Sequence, residues 1–222
     1  MLYLFHGDDV YQSRRKFSDG LKKYQTIRFF SPSEINTESI RTFSAGLFSS
    51  QKQILAFENL FSLPQANLAK IIPLIKKIAE KSDVFVWQGK KLPAKNISPW
   101  GQNSKIFLFR LPANIFKLLD SLGVNKKQSL LFYRKTLATH PPELILAMAQ
   151  RQLKELLLAK IAPENLKLAP WQKARILSQA QKLGLAQIKA NYLELIKIDW
   201  QDKTGQLGNS LENELISFLA KL

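Results

Sequence analysis

The stretch Phe43–Leu60, FSAGLFSSQKQILAFENL, sets how the rest of the chain is read. Ala45-Gly46 ends a helical pattern, and Ser49-Ser50-Gln51-Lys52 separates Leu47 and Phe48 from the apolar run Ile54-Leu55-Ala56-Phe57, which has the composition of a strand. Leu47 and Phe48 therefore stand on a loop, where large apolar side chains have little scaffold to bury against. Either they fold back onto a sheet edge, or they are held out for a partner. Fully burying each is worth roughly 1.5–3 kcal/mol, enough to anchor a complex.

Working outward toward the N-terminus, Ser33–Phe43 has helical spacing, opened by Ser31-Pro32-Ser33 and Glu34 and carrying Ile35, Ile40 and Phe43. Thr26–Phe30 is a strand. Val10–Tyr24 is a helix with Val10, Phe17 and Leu21 on one side, Arg14, Arg15, Lys16 and Lys22 largely elsewhere, and Asp8 or Asp9 as its cap. Met1–Phe5 is a short buried strand. In the other direction come the strand Gln53–Phe57 and a helix over Leu63–Lys81 that turns Leu68, Ile71, Ile72, Ile75 and Ile78 inward. Pro73 is expected to kink or split that helix. Strands follow at Asp83–Gln88 and Lys105–Phe109. Strands alternating with helices imply right-handed crossovers and a mostly parallel sheet.

From Asn114 the pattern changes, and no strand signal remains. Helices are expected at Ile115–Leu122, from Asn125-Lys126-Lys127 to Leu137, and at Glu143–Ile161 with Leu144, Ala147, Met148, Leu157 and Leu158 among its apolar positions. Further helices run from Ala169-Pro170-Trp171 to Lys182, with Gly184 as the stop, and over Leu185–Lys203 and Ser210–Leu222. The expected architecture is an α/β domain over residues 1–112, with a Rossmann-like parallel sheet, followed by an all-α helical bundle over 113–222.

Composition narrows the chemistry. The 222 residues contain no cysteine and only two histidines, His6 and His140, which excludes disulfides and thiolate metal sites and disfavours a histidine-rich metal centre. The opening LYLF lacks the basic flank and long apolar region of a signal peptide, and no apolar run approaches the ~18 residues of a membrane span, so a soluble cytoplasmic protein is expected. The charge is +16, with 17 basic and 8 acidic residues through Pro112 and 16 and 9 beyond it. An excess spread over both halves fits a broad positive face rather than a basic tail; nucleic acid is the usual partner of such a face, the alternative being a solvated surface of a generally basic proteome.

In a parallel sheet, ligands bind at the carboxyl ends of the strands, so a phosphate loop belongs at Gly7-Asp8-Asp9-Val10-Tyr11-Gln12-Ser13-Arg14. That turn has one glycine, no Lys-Ser/Thr pair and two carboxylates that repel a polyphosphate, so a plain helix-capping turn is expected. An enzyme reading would gather Asp8, Asp9 and Asp83 as a carboxylate cluster at strand ends for a metal-dependent nuclease, but Asp83 opens its strand and belongs at the opposite edge. Gly89–Ser104, the longest irregular segment, carries Lys90, Lys91, Lys95 and Trp100: either a single-strand nucleic-acid contact or a solvated crossover.

The chain resembles the delta subunit of the bacterial DNA polymerase III clamp loader. The resemblance is carried by LYLFHGDDVY (2–11), GLFSSQKQILAFENL (46–60), VFVWQGKKL (84–92), IFKLLDSLGVNKKQSLLFYRKTL (115–137), Glu143–Leu158, PWQKARILSQAQKLGLAQI (170–188) and DWQDKTGQLGNSLENELISFL (199–219). No one segment is specific; their order along nearly the whole chain is what counts. The resemblance implies a degenerate AAA+-type sheet domain without a P-loop, followed by a helical collar domain. It implies a subunit that binds and opens the sliding clamp (the beta subunit) during DNA replication, with no ATP hydrolysis, no catalytic residues and no cofactor of its own. Leu47 and Phe48 match the family's Leu-Phe pair that enters a pocket on the clamp, an anchor-in-pocket arrangement, with Ser33–Phe43 as its support. The collar packs with the other loader subunits, gamma/tau and delta prime, around primer–template DNA, and Lys203 and Gln206 are the candidate DNA contacts. The sequence departs from the family in one large respect: Phe109-Arg110-Leu111-Pro112 runs straight into the collar pattern, leaving no room for the family's helical lid domain. The competing reading is a stand-alone basic nucleic-acid-binding protein on a former AAA-like sheet, which predicts tight, salt-sensitive DNA binding without a clamp.

Overall fold

The computed structural model describes residues 1–24, 26–46, 53–101 and 103–222, the side chains of 26, 28, 29, 43–46 and 53 excepted. Leu47 and Phe48 lie outside the described residues. The chain divides into two compact units, Met1–Leu111 and Pro112–Leu222.

In the first unit, strands β1 (Leu2–Gly7), β2 (Thr26–Phe30), β3 (Gln53–Glu58), β4 (Val84–Gln88) and β5 (Ser104–Phe109) form one sheet in the order β2-β3-β4-β1-β5, and every pairing is parallel. The two central strands are buried on both faces, which is why LYLFHG and VFVWQ read as near-continuous apolar runs instead of alternating. Side-chain alternation sends Leu2, Leu4, Leu55, Phe57, Val84 and Val86 to one face, against helix α3 (Gln65–Ala79). Phe5, Ile54, Ala56, Phe85 and Trp87 go to the other, against Phe17 and Leu21 of helix α1 (Val10–Leu21).

Several details depart from the sequence reading, each for a local reason. Val10 is the first residue of α1 and is 45% exposed, so the buried stripe begins at Ser13 and Phe17. Helix α2 (Thr37–Gly46) starts after the expected Ser33, because Ser31 and Glu34 close a turn of their own. Asn36 supplies the cap instead, its Oδ1 accepting from the Ser39 N–H at 2.7 Å. Ile35 and Ile40 are buried as expected. Helix α3 runs through Pro73 unbroken. The ring sits on the exposed side of the helix, where water can serve the carbonyl that loses its N–H partner. The crossover after β4 is partly helical, with α4 (Ala94–Ile97) and a 3₁₀ turn at Ser98–Trp100. It tucks Leu92 and Trp100 into the core.

The second unit is built of α5 (Ala113–Ser121), α6 (Lys126–Leu137), α7 (Pro142–Ile161), α8 (Pro170–Gln181), α9 (Leu185–Lys203) and α10 (Leu211–Lys221). Asn125 and Ser210 cap α6 and α10 through their side-chain oxygens, which accept from Gln128 N–H and Asn213 N–H. Gly123 ends α5 with φ +71°, a conformation that favours glycine, and a Cβ there would stand 3.1 Å from Leu183. Helix α7 buries Ile145, Leu146, Ala149, Leu153 and Leu156. The expected Met148, Leu157 and Leu158 are half-buried beside that row, and Ala147 is exposed. Polar groups inside the bundle are matched to one another. Gln152 donates to Gln179 Oε1 at 2.6 Å, and Gln179 donates to the carbonyls of Leu119 and Leu122 at the end of α5. The fully buried Tyr133 donates its hydroxyl to the Glu212 carbonyl at 3.1 Å, joining α6 to α10. Burial drives its hydroxyl pKa well above the ordinary value.

Candidate functional site

The carboxyl edge of the sheet is where a ligand belongs in this architecture, and here it is filled by the protein's own groups. At Gly7 the backbone has φ +147°, and a Cβ would fall 1.8 Å from the Phe109 carbonyl oxygen, so β5 closes directly against the turn. The buried Asp9 accepts from the Gln12 N–H at 2.9 Å and caps α1 with a carboxylate, so an anion is opposed where a helix N-terminus would otherwise attract one. Trp87 donates its indole N–H to Ser13 Oγ at 3.1 Å, and the Arg14 guanidinium lies 4.7 Å over the Trp87 ring while pairing with Glu58 at 2.6 Å. One Arg14 nitrogen, Nη1, is buried without a hydrogen-bond partner.

The neighbouring loops are tied to the same edge. Buried His6 accepts the Leu92 N–H on Nδ1 at 3.1 Å, which fixes the start of the crossover. Burial lowers the pKa of this imidazole, against a smaller upward pull from Asp8, and Lys91 adds to the lowering. Gln88 Oε1 accepts from Phe61 N–H and Asn59 Oδ1 from Gly89 N–H. Asn59 adopts the left-handed conformation, φ 50°, that Asn tolerates better than most residues.

The carboxylates named from the sequence are not brought together. Asp83 lies at the amino edge, 3.2 Å from the Met1 amino group and accepting the Tyr24 hydroxyl, while Asp8 and Asp9 follow β1 at the other edge. Among the described residues no cluster of three His, Cys, Asp or Glu side chains is placed to hold a metal ion. Trp100 is also removed from the surface: it donates its indole N–H to the Asn96 carbonyl at 3.0 Å and packs edge-on against Phe61. Lys90, Lys91 and Lys95 remain exposed, so the aromatic half of the suspected single-strand contact is absent.

Helix α2 reaches Gly46, and β3 begins at Gln53, paired with Thr26 at the amino ends of the strands. Ile40 and Ile54, both buried, fix these two elements in the core. In the second unit, Lys203 is the exposed last residue of α9 and Gln206 lies on the exposed turn after it, where Gly205 takes φ +68° and the Gln206 N–H donates to the Gln201 carbonyl at 2.8 Å. Lys203 pairs with Asp199, one helical turn back, at 2.8 Å. An exposed pair of this kind contributes about 0–1 kcal/mol, so it leaves the lysine available to a phosphate. Sequence reading missed the Arg14–Glu58–Trp87 group, whose members are brought together from three separate elements, and the exposure of β5. The second had a visible signal: IFLF is apolar at consecutive positions in the last strand, and a terminal strand has one side unpaired.

Among the described residues no helix is long and apolar enough to cross a membrane. No family model matches the chain. The Bacillus subtilis DNA clamp loader delta protein is a structural neighbour at 13% identity, covering 99% of this chain and 94% of its own, with a TM-score of 0.49. A DNA polymerase III gamma subunit-related protein of Thermotoga maritima is 12% identical, covers 100% of this chain and 93% of its own, and has a TM-score of 0.38. In sequence, the chain is similar to the DNA polymerase III subunit delta of Bacillus subtilis, 24% identical over an alignment of 229 residues that takes in 94% of this chain and 60% of the relative, so it spans about 60% of that relative's length.

Proposed function

We propose that the chain is a delta-type clamp-loader subunit that binds and opens the DNA sliding clamp during replication and hydrolyses no ATP itself. The observation that carries this reading is the 24% identity to a DNA polymerase III delta subunit along 94% of the chain. The carboxyl edge of the sheet supports the non-catalytic part, because Asp9 is spent on capping α1 and Arg14, Glu58 and Trp87 contact one another at the edge where a nucleotide is expected in this architecture. In this reading residues 1–112 are the clamp-binding domain, with Leu47 and Phe48 as apolar anchors in a pocket of the clamp and α2 as their support. Residues 113–222 are the collar, which packs with the other loader subunits, gamma/tau and delta prime, around primer–template DNA in the cytoplasm. Lys203 and Gln206 contact that DNA. The link from β5 to α5 consists of Arg110, Leu111 and Pro112 alone, so the subunit works without a lid domain at that point.

The opening activity is tested by loading the organism's own clamp onto nicked circular DNA and following its release when the purified chain is added without ATP. Accelerated release, lost in Leu47→Ala/Phe48→Ala, is expected. Clamp that stays on the circle at saturating protein would contradict the opening role.

A further inference from the structure

Beyond the loader role, we propose that the β5 flank of the sheet is a docking site for an extended acidic peptide of a partner protein, added as a further strand along β5 with an apolar side chain in the cleft beside α1. Strand β5 ends the sheet and pairs only with β1 among the described residues, which leaves its outer row of N–H and C=O groups without a strand partner. Edge strands of folded proteins are ordinarily protected by charge, proline or a cover. This one has no proline and a single charge, Lys105, while Ile106, Phe107 and Leu108 are each 39% exposed.

A cleft of about 390 Å³ adjoins the strand on the α1 side. Its floor is aromatic: Phe107 stacks on Phe5 at 5.0 Å and Tyr3 on Phe85 at 4.7 Å, with Tyr24 and Phe109 completing the lining. Gly20 lines the α1 wall, where a Cβ would stand 2.8 Å from the Phe85 ring, and Lys16 and Lys23 also line the cleft. The register puts Lys105 on the same face as Phe107, with its ammonium 5.9 Å from the Tyr3 ring centre.

Charge fixes the chemistry of the guest. No carboxylate of the described residues lies within ion-pair distance of Lys16 or Lys23. The two acids nearby are already engaged, Asp19 with Lys22 at 2.7 Å and Asp83 with the Met1 amino group and Tyr24. The cleft is therefore positive and its complement is acidic. The open strand favours a peptide over a nucleic acid, because a row of donors and acceptors at ladder spacing pairs with a peptide backbone. Alternate residues of such a guest would face the lysine-lined cleft on one side and Ile106 and Leu108 on the other.

The probe is the fluorescein-labelled peptide Glu-Asp-Val-Phe-Val-Asp-Val-Glu, titrated by anisotropy against the full chain, its Lys16→Glu/Lys23→Glu variant and its Phe107→Glu variant. Labelled oligothymidylate and a probe with lysine at every acidic position run alongside. Binding of the acidic probe is expected, weakened about tenfold or more by either variant, together with slowed hydrogen exchange over residues 104–110 of the wild-type chain. The lysine-bearing probe is expected not to bind. Three results would overturn the proposal: no binding of the acidic probe to the wild-type chain, binding that both variants retain, or binding without exchange protection at β5. Oligothymidylate binding that Lys16→Glu/Lys23→Glu abolishes, with no acidic-peptide binding, would assign the cleft to nucleic acid instead.

Discussion

The carboxyl edge of the sheet and its β5 flank are opposites. At the carboxyl edge, polar groups from α1, β1, β3 and β4 answer one another: Asp9 caps α1, Trp87 reaches Ser13, Arg14 meets Glu58, and His6 holds the crossover. At β5, apolar side chains and lysines stand open together. A ligand site of the usual kind would leave several convergent polar groups unspent at the carboxyl edge, whereas the one buried side-chain nitrogen without a partner among the described residues there is Arg14 Nη1. The difference teaches that a parallel α/β sheet alone carries no chemistry, which depends on the groups left open at its edges.

Substitutions can break this contrast. The largest effect is expected from Gly7→Ala, because the added Cβ meets the Phe109 carbonyl at 1.8 Å and the backbone stays at φ +147°. A loss upward of about 3 kcal/mol, or failure to fold, is the expected result in denaturant titration. Phe57→Ala, at a fully buried position, should cost about 3–5 kcal/mol, whereas Phe107→Ala, on the open flank but stacked on Phe5, should cost about 1–2 kcal/mol. Equal losses at the two positions would mean that β5 is covered in solution.

A smaller effect sharpens the view of the closed edge. The folded pKa of His6 is lowered below its ordinary 6.5, so the unfolded chain takes up a proton first as the pH falls. Stability from this group is fully present above about pH 6.5 and declines below it. Denaturant midpoints measured between about pH 7.5 and 5.5 should therefore fall, and His6→Gln, which keeps an acceptor for the Leu92 N–H, should flatten that slope. An unchanged slope would remove His6 from the account.

Legibility from sequence followed the range of the interaction. Local signals read true: of the two expected caps, Asp8 or Asp9, it is Asp9 that caps α1, the helices expected to open at Asn125 and Ser210 begin directly after those residues, the five strands fall where apolar runs predict them, and α9 spans Leu185–Lys203 as expected. Errors arose where a local rule met a long-range circumstance. Pro73 fails to break α3 because it faces solvent, and Trp100 is buried because the crossover folds back under Phe61. In α7 apolar residues cover most of the circumference, so periodicity alone could not single out Ile145 and Leu146 over Leu144 and Ala147. The pairing of Arg14 with Glu58 joins α1 to the end of β3, a contact no spacing rule reports. The candidate clamp anchors were legible only as apolar residues out of place on a loop, together with a family resemblance.

The central claim is most directly tested by equilibrium binding of the full chain to its own organism's sliding clamp, with Leu47→Ala/Phe48→Ala alongside and circular dichroism to check the fold. Clamp binding that weakens about a hundredfold or more in the folded double variant is the predicted result. No clamp binding by the wild-type chain, with DNA binding that weakens steeply as salt is raised, would contradict it and make the protein a stand-alone nucleic-acid binder.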